Sequence, residues 1–175
     1  MPFPRSLLWR LMLLVVCLAV PSGQSADAIS PIAKPTGQVI LTITGDIERA
    51  NSTEGVELDR AMLEAIGMVE LETETPFTEG RLTFRGVRMQ DLLRHVGARG
   101  KTIEATALDL YKVAIPISDF DNEDVILALE IDGRKLRVRD RGPAWIMYPF
   151  SSHADLDNEI IHSRCIWQLV SLNVR

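Results

Sequence analysis

Four basic residues recur at every second position in the last third of the sequence. They are Lys135, Arg137, Arg139 and Arg141. Side chains two positions apart on a β-strand lie on one face, about 6.8 Å from each other, so this spacing predicts a basic stripe. The planar guanidinium group matches phosphate and sulfate-like groups, and the stripe would therefore suit a small oxyanion. A solvated strand face, neutralised by acids such as Asp140 and Glu130, is the alternative interpretation.

A second group of polar residues follows the basic group. Its members are His153, Asp155, Asp157, Glu159 and His162. Their spacing matches no zinc motif, and the Asp, Asn and Ser residues of this stretch also favour turns. Two interpretations stay open, a functional loop and a hydrated connection, and no resident metal is predicted.

Three aromatic residues and one thiol complete the candidates. Trp145, Tyr148 and Trp167 could line a ligand pocket with their polar tips, or they could belong to the core. Cys165 lies in a predicted apolar strand. Its thiol could be a metal ligand or a redox centre, although a buried free cysteine usually behaves as a small apolar side chain.

Hydrophobic periodicity predicts that β-strands position these residues. Residues 69–74 alternate strictly between apolar and polar, which is typical of a strand with one wet face, and Asp132 with Gly133 predicts a two-residue hairpin turn. The predicted strands are residues 39–44, 69–74, 81–85, 103–108, 111–116, 125–131, 134–139, 144–148 and 165–174. Helical spacing predicts two short helices, residues 58–66 and 89–96. The expected fold class is α+β, mostly strands with two short helices.

The N-terminal residues are typical of a secretory signal peptide. Arg5 and Arg10 precede an apolar run at residues 11–20, and Ala26 and Ala28 are small residues suited to a cleavage site after residue 28. The run is shorter than the roughly 20 residues that span a bilayer. We therefore expect a signal peptide at residues 1–28, an extended lead-in at 29–37 and one domain at 38–175. The expected location is periplasmic or secreted, with no membrane span after cleavage.

Charge and cysteine content exclude some classes of protein. The net charge of the full sequence is −5, and removal of residues 1–28 makes it one unit more negative. Nucleic-acid binding needs a basic footprint, so nucleic acid is not an expected partner. One cysteine would remain after cleavage, which allows no disulfide within the chain.

Several segments, in order, resemble the oxidoreductase molybdopterin-binding domain, the sulfite-oxidase fold. They are residues 75–78 (TPFT), 84–87 (FRGV), 91–93 (DLL), 111–113 (YKV), 126–128 (ILA) with 132–133 (DG), 141–149 (RGPAWIMYP), 162–164 (HSR) and 166–169 (IWQL). The resemblance covers about residues 37–175 and is closest to small, single-domain exported members. It implies a mostly β fold with mixed sheets. It also favours His162, from the polar group, and the nearby Arg164 as site residues.

The resemblance also implies where molybdenum would bind. In catalytic members a cysteine thiolate upstream of the segment that matches Gly86 and Val87 ligates the metal. The corresponding residues 68–78 contain no cysteine and offer only the hydroxyls of Thr73, Thr75 and Thr78, which are poor ligands for a soft metal site. The signal lacks an adjacent arginine pair, whereas exported proteins that carry this cofactor normally use the twin-arginine route.

Three functions follow as hypotheses. The first is a cofactor-free sensory or accessory module that binds a small anionic ligand or a periplasmic or membrane sensor protein. The second is an active molybdopterin-dependent oxidoreductase with a non-cysteine molybdenum ligand, and the third is a purely structural exported domain. No catalytic residue is assigned. The candidate ligand-binding residues are Arg137, Arg139, Arg141, Trp145, Tyr148, His162 and Arg164.

Overall fold

The computed structural model describes residues 31–121 and 124–175. The predicted signal peptide lies outside the described residues. The strands described are β1 (Val39–Gly45), β2 (Val56–Asp59), β3 (Val69–Glu74), β4 (Arg81–Arg88), β5 (Thr102–Ala107), β6 (Lys112–Pro116), β7 (Ile126–Ile131), β8 (Arg134–Lys135), β9 (Trp145–Met147) and β10 (Leu169–Val174). The α-helices are α1 (Arg60–Ile66), α2 (Met89–Val96) and α3 (Glu159–Arg164).

These strands form two sheets that share a core. The first has the order β2-β1-β10-β5-β6 and is mixed, because β1 and β10 run parallel. The second has the order β3-β4-β7-β8, with β9 also paired to β7, and is antiparallel. Buried side chains of both sheets, Leu41 and Leu172 from one and Phe84 and Leu127 from the other, belong to one hydrophobic cluster. The prediction of a mostly β fold with few short helices is confirmed.

The observed capping residues of α1 and α2 test the predicted bounds of these two helices. Helix α2 spans the predicted residues and ends at Gly97, whose φ of 68° is the left-handed conformation that glycine adopts without penalty. The predicted helix at 58–66 begins too early, because Leu58 belongs to β2. Asp59 ends that strand and caps α1 by accepting a hydrogen bond from the Met62 amide.

The last predicted strand is shorter than expected. Strand β10 lies centrally between β1 and β5, as its apolar character predicts, but it begins at Leu169. Cys165 instead follows α3, and Gln168 has a φ of 50°. Trp167 is therefore in a connection and not in a strand.

Helix α3 was not predicted. Asn158 caps it by accepting hydrogen bonds from the amides of Ile160 and Ile161. The turn-forming residues of this stretch thus start a helix, which sequence periodicity over six residues cannot reveal. No helix in the described parts of the chain is long and apolar enough to cross a membrane.

Candidate functional site: a basic cavity beside an aromatic cavity

The basic residues predicted as a strand stripe are arranged differently in the structure. The hairpin turn at Asp132 and Gly133 forms, with φ values of 46° and 72°, but β8 ends at Lys135. Residues Val138–Asp140 form a 3-10 turn, in which the amide of Asp140 donates to the carbonyl of Arg137 over 2.7 Å. The prediction of a strand over 134–139 is therefore wrong, because this turn replaces the ladder hydrogen bonds that would continue β8.

The turn nevertheless places these side chains around one cavity of about 880 Å³, which we call the basic cavity. Its charged lining residues are Arg134, Lys135, Arg137, Arg139, Asp140 and Arg141. Five of these side chains are cationic and one is anionic, so the lining has a net positive charge in a protein of net negative charge.

The charges of the basic cavity are only partly neutralised. Asp140 accepts a hydrogen bond of 2.6 Å from Arg137 and lies 3.8 Å from Arg139. Among the described residues, no carboxylate lies within 4.0 Å of the cationic groups of Arg134, Lys135 or Arg141. A bound anion could therefore interact with several cations that have no ion-pair partner.

Two indole rings position the guanidinium of Arg141. Its guanidinium lies over the ring of Trp145, 5.2 Å from the centroid, and 5.8 Å from the centroid of Trp167. Its carbonyl accepts a hydrogen bond from the amide of Gln168, and its φ is 66°. Cation–π contacts fix the direction of the guanidinium without consuming its hydrogen-bond donors.

A second cavity, of about 440 Å³, lies between the β5–β6 turn and α3, and we call it the aromatic cavity. Its lining includes Phe77, Asp109, Tyr111, His162, Cys165 and Trp167. The two cavities share no lining residue, but they adjoin. Phe77 lines one and Thr78 the other, and Trp167 of the aromatic cavity contacts Arg141 of the basic cavity.

Phe77 and Trp167, which line the aromatic cavity, belong to a cluster of packed aromatic rings. The ring of Phe77 packs edge-on against Trp167 at 5.6 Å and against His162 at 5.9 Å, and it lies 6.1 Å from Trp145. Trp145 is fully buried, and its indole N–H donates to the carbonyl of Cys165. Trp145 is thus a core residue, whereas Trp167 faces the aromatic cavity with 41 % of its surface exposed.

Two predicted site residues, Tyr148 and Arg164, do not line either cavity. The Tyr148 hydroxyl and a guanidinium nitrogen of Arg164 both donate to one oxygen of Asp119, each over 2.8 Å. Burial, and next the Asp119 carboxylate, raise the pKa of Tyr148 far above its usual value. Asp119 was not predicted as a site residue, since no spacing rule links it to residues so distant in the chain.

In the polar group at residues 153–162, the structure pairs His162 with Asp157. Nε2 of His162 lies 2.7 Å from an Asp157 carboxylate oxygen, and its ring packs against Phe77 and Phe150. In residues 31–121 and 124–175, no group of three or more His, Cys, Asp or Glu side chains could hold a metal ion.

Comparison with known proteins identifies the class of this protein. Residues 41–151 match the model of the oxidoreductase molybdopterin binding domain, and the chain belongs to this family. The sulfane dehydrogenase SoxCD of Paracoccus pantotrophus has a similar structure, with a TM-score of 0.57 and 18 % identity, over 77 % of this chain and 37 % of that one. This chain thus spans little more than a third of that chain's length, and the likeness concerns the fold. No curated protein matches the sequence significantly.

The residues at the expected molybdenum position do not fit a thiolate-ligated metal. Thr73 is fully buried, and its hydroxyl donates to the carbonyl of Glu74 and accepts from the amide of Ser151. The hydroxyls of Thr75 and Thr78 are hydrogen-bonded to each other over 2.8 Å. The one described thiol, Cys165, is buried, and burial raises its pKa to about 12, so it stays protonated and is a poor ligand.

Proposed function

We propose that this chain is an exported binding domain that works without molybdenum and holds a small oxyanion, such as a sulfate- or phosphate-like group, in the basic cavity. The observation that carries the proposal is the position of Arg141. Its guanidinium is held over two indole rings and faces a cavity that also contains Arg134 and Lys135. Three cations without carboxylate partners converge there, and arginine's fork binds oxyanions through two parallel hydrogen bonds.

The turn at Val138–Asp140 supports the same interpretation. Asp140 is the acidic side chain of the cavity lining, and it engages Arg137 while Arg139 lies near. An incoming anion can compete with Asp140 for these two guanidinium groups. We expect a bound anion to make this exposed turn more ordered. A partner protein could detect that change in the turn.

The chemistry of the threonine hydroxyls supports a role without molybdenum. The hydroxyl of Thr73 already has its hydrogen-bond partners inside the chain, and its proton is used in the bond that it donates to the Glu74 carbonyl. An active oxidoreductase with a non-cysteine ligand is the second candidate, and membership of the molybdopterin-binding family is what favours it. Periplasmic or secreted location and a sensory or accessory role are part of the proposal.

Thermal unfolding of the purified protein in sulfate, in phosphate and in chloride of equal ionic strength tests the anion site. Sulfate and phosphate stabilise folded proteins generally, so the measured quantity is the difference between the wild type and a variant. We expect Arg141→Gln and the double variant Arg134→Gln/Lys135→Gln to lose most of the anion-dependent rise in Tm. Lys34→Gln, an exposed charge outside the cavity, is the matched control and should retain it.

A rise in Tm that is the same in all these proteins contradicts the anion site. The molybdenum content and the released pterin of the same preparation test the rest of the proposal. Near-stoichiometric molybdenum with pterin would overturn the cofactor-free role and favour the oxidoreductase.

A further inference from the structure

Most of the exposed large apolar residues in the described parts of the chain lie close to one cavity. In the described parts of the chain, seven large apolar side chains are exposed, and five of them belong to the chain segments that line the aromatic cavity. These five are Leu108, Leu110, Tyr111, Ile160 and Trp167. Ile160 belongs to this group because it lies three positions before Ser163, a lining residue, on the same face of α3. Exposed apolar clusters of this kind are typical of interaction sites.

The β5–β6 turn displays its apolar residues at a conformational cost. Leu110 has a φ of 71° and is 78 % exposed. Glycine or asparagine would adopt this left-handed conformation more easily, and folding alone gives no reason for a leucine here. The turn is also well fixed, because the Leu108 amide donates to Gln168 and the Tyr111 amide donates to the Asp109 carboxylate.

The size of the apolar region favours a polypeptide over a small molecule. Leu108, Leu110 and Ile160 do not line the aromatic cavity, so a compound bound inside it would leave them in water. A polypeptide segment with one side chain in the cavity would cover the rim as well. Such an anchor residue in a preformed pocket is how protein interfaces concentrate their binding energy.

The charge of the cavity defines the partner further. Asp109 is the acidic residue of the lining, and within the described residues no cationic side chain lies within 4.0 Å of it. The adjacent helix α3 begins with Glu159, which is exposed. The carboxylates of Asp109 and Glu159 complement a segment in which lysine or arginine flanks the anchor, although the guanidinium of Arg141 lies 5.8 Å from the Trp167 ring at the edge of the cavity.

We propose that the aromatic cavity and its rim form a docking surface for a segment of a partner protein, with one aromatic or aliphatic anchor residue next to lysine or arginine. The surface shares no lining residue with the basic cavity. The docking proposal therefore goes beyond anion binding, and either can fail alone.

Titration calorimetry of the purified protein with three synthetic peptides provides the test. The first peptide has a phenylalanine between two lysines, the second has it between two glutamates, and the third has a serine between two lysines. We expect binding of the first peptide alone. Absence of binding, or equal binding of the first two, overturns the proposal.

Two substitutions separate docking from folding. Leu110→Gly relieves the left-handed strain and should maintain or raise the Tm, while it weakens binding of the first peptide at least about tenfold. Asp109→Asn retains an oxygen that can accept from the Tyr111 amide, and it should weaken binding about two- to five-fold through loss of charge. Glu54→Gln and Val39→Thr, outside this surface, are the matched controls.

A second copy of this chain is the competing occupant. Light scattering at increasing protein concentration distinguishes it. A dimer that forms in the wild type and disappears in Leu110→Gly would overturn the partner proposal in favour of self-association, whereas a monomer that binds the first peptide supports it.

Discussion

The side-chain oxygens of Thr73 and Ser151 lie 3.3 Å apart and join two distant segments of the chain. The Glu74 amide donates to the Ser151 hydroxyl over 2.8 Å, and the Ser151 amide donates to the Thr73 hydroxyl over 3.0 Å. The end of β3 is thereby tied to the residues that follow β9. A hydroxyl pair thus stabilises the fold in the stretch where catalytic relatives are expected to ligate a metal.

We expect Thr73→Val to destabilise the protein by about 1–3 kcal/mol. Valine retains the shape of threonine, but the substitution leaves the amide of Ser151 without its acceptor. Urea unfolding would measure the change. Thr83→Val is the control, at a half-buried strand position where the amide donates to Asp132 and no described residue is hydrogen-bonded to the hydroxyl. It should change the free energy of unfolding by no more than about 0.5 kcal/mol. Equal effects of the two substitutions would refute a structural role for the Thr73 hydroxyl.

The shared carboxylate of Asp119 leads to a second prediction. Tyr148→Phe removes one of the two donors to this half-buried group, and a hydrogen bond to a charged partner is worth about 1.5–3 kcal/mol. The free energy of unfolding should fall by that amount. Tyr111→Phe, at an exposed ring, should have almost no effect. If both variants unfold alike, the contact between Tyr148 and Asp119 does not stabilise the native state.

Cys165 should be inert in the native protein. Burial raises the pKa of its thiol to about 12, and the thiol is both protonated and shielded near neutral pH. In the protein from which the expected signal peptide, with its Cys17, has been removed, a disulfide-exchange reagent at pH 8 should react with Cys165 only after denaturant is added. Rapid stoichiometric reaction with the folded protein would contradict the buried position.

The raised pKa of Cys165 also predicts a dependence of stability on pH. An unfolded thiol ionises near pH 8.5, and its contribution to stability is fully present below that pH and is lost as the pH rises toward 12. Relative to Cys165→Ala, the free energy of unfolding of the wild type should fall by about 1.5 kcal/mol between pH 8.5 and 10. Parallel pH profiles of the two proteins would show that the pKa is not raised.

Local sequence patterns predicted the fold better than they predicted the site. The alternation at residues 69–74 and the Asp132–Gly133 turn depend on neighbouring residues alone, and both structures form. The prediction of a basic stripe required that the strand continue past Lys135. The strand ends there, and a 3-10 turn follows at Val138–Asp140.

Contacts between distant residues could not be predicted from spacing. Arg141 is held by Trp167, and Tyr148 by Asp119, through chain reversals that only the tertiary fold brings about. The exposed Leu110 was also missed, because its left-handed conformation is invisible in the sequence. Composition did indicate a globular domain with one free thiol, but it could not distinguish a core aromatic residue such as Trp145 from one that lines a cavity.

The carboxylate of Asp59 leads to a final prediction, which concerns stability at acid pH. Hydrogen bonds from the amides of Met62, Gly37 and Thr36 lower the pKa of this group. Its contribution to stability is therefore present above the unfolded value, about pH 4, and is lost as the pH falls through the folded pKa. Asn is as good a helix cap as Asp, but in Asp59→Asn the amide group replaces the oxygen that accepts from Thr36 and Gly37.

The Tm of Asp59→Asn should therefore lie about 2–8 °C below that of the wild type at pH 7, and the gap should narrow below pH 4. Asp59→Ala, which also removes the cap of α1, should be less stable than Asp59→Asn at pH 7. Scanning calorimetry across this pH range measures both differences. A gap of constant size down to acid pH would mean that the ionised form of Asp59 is not what the three amides stabilise.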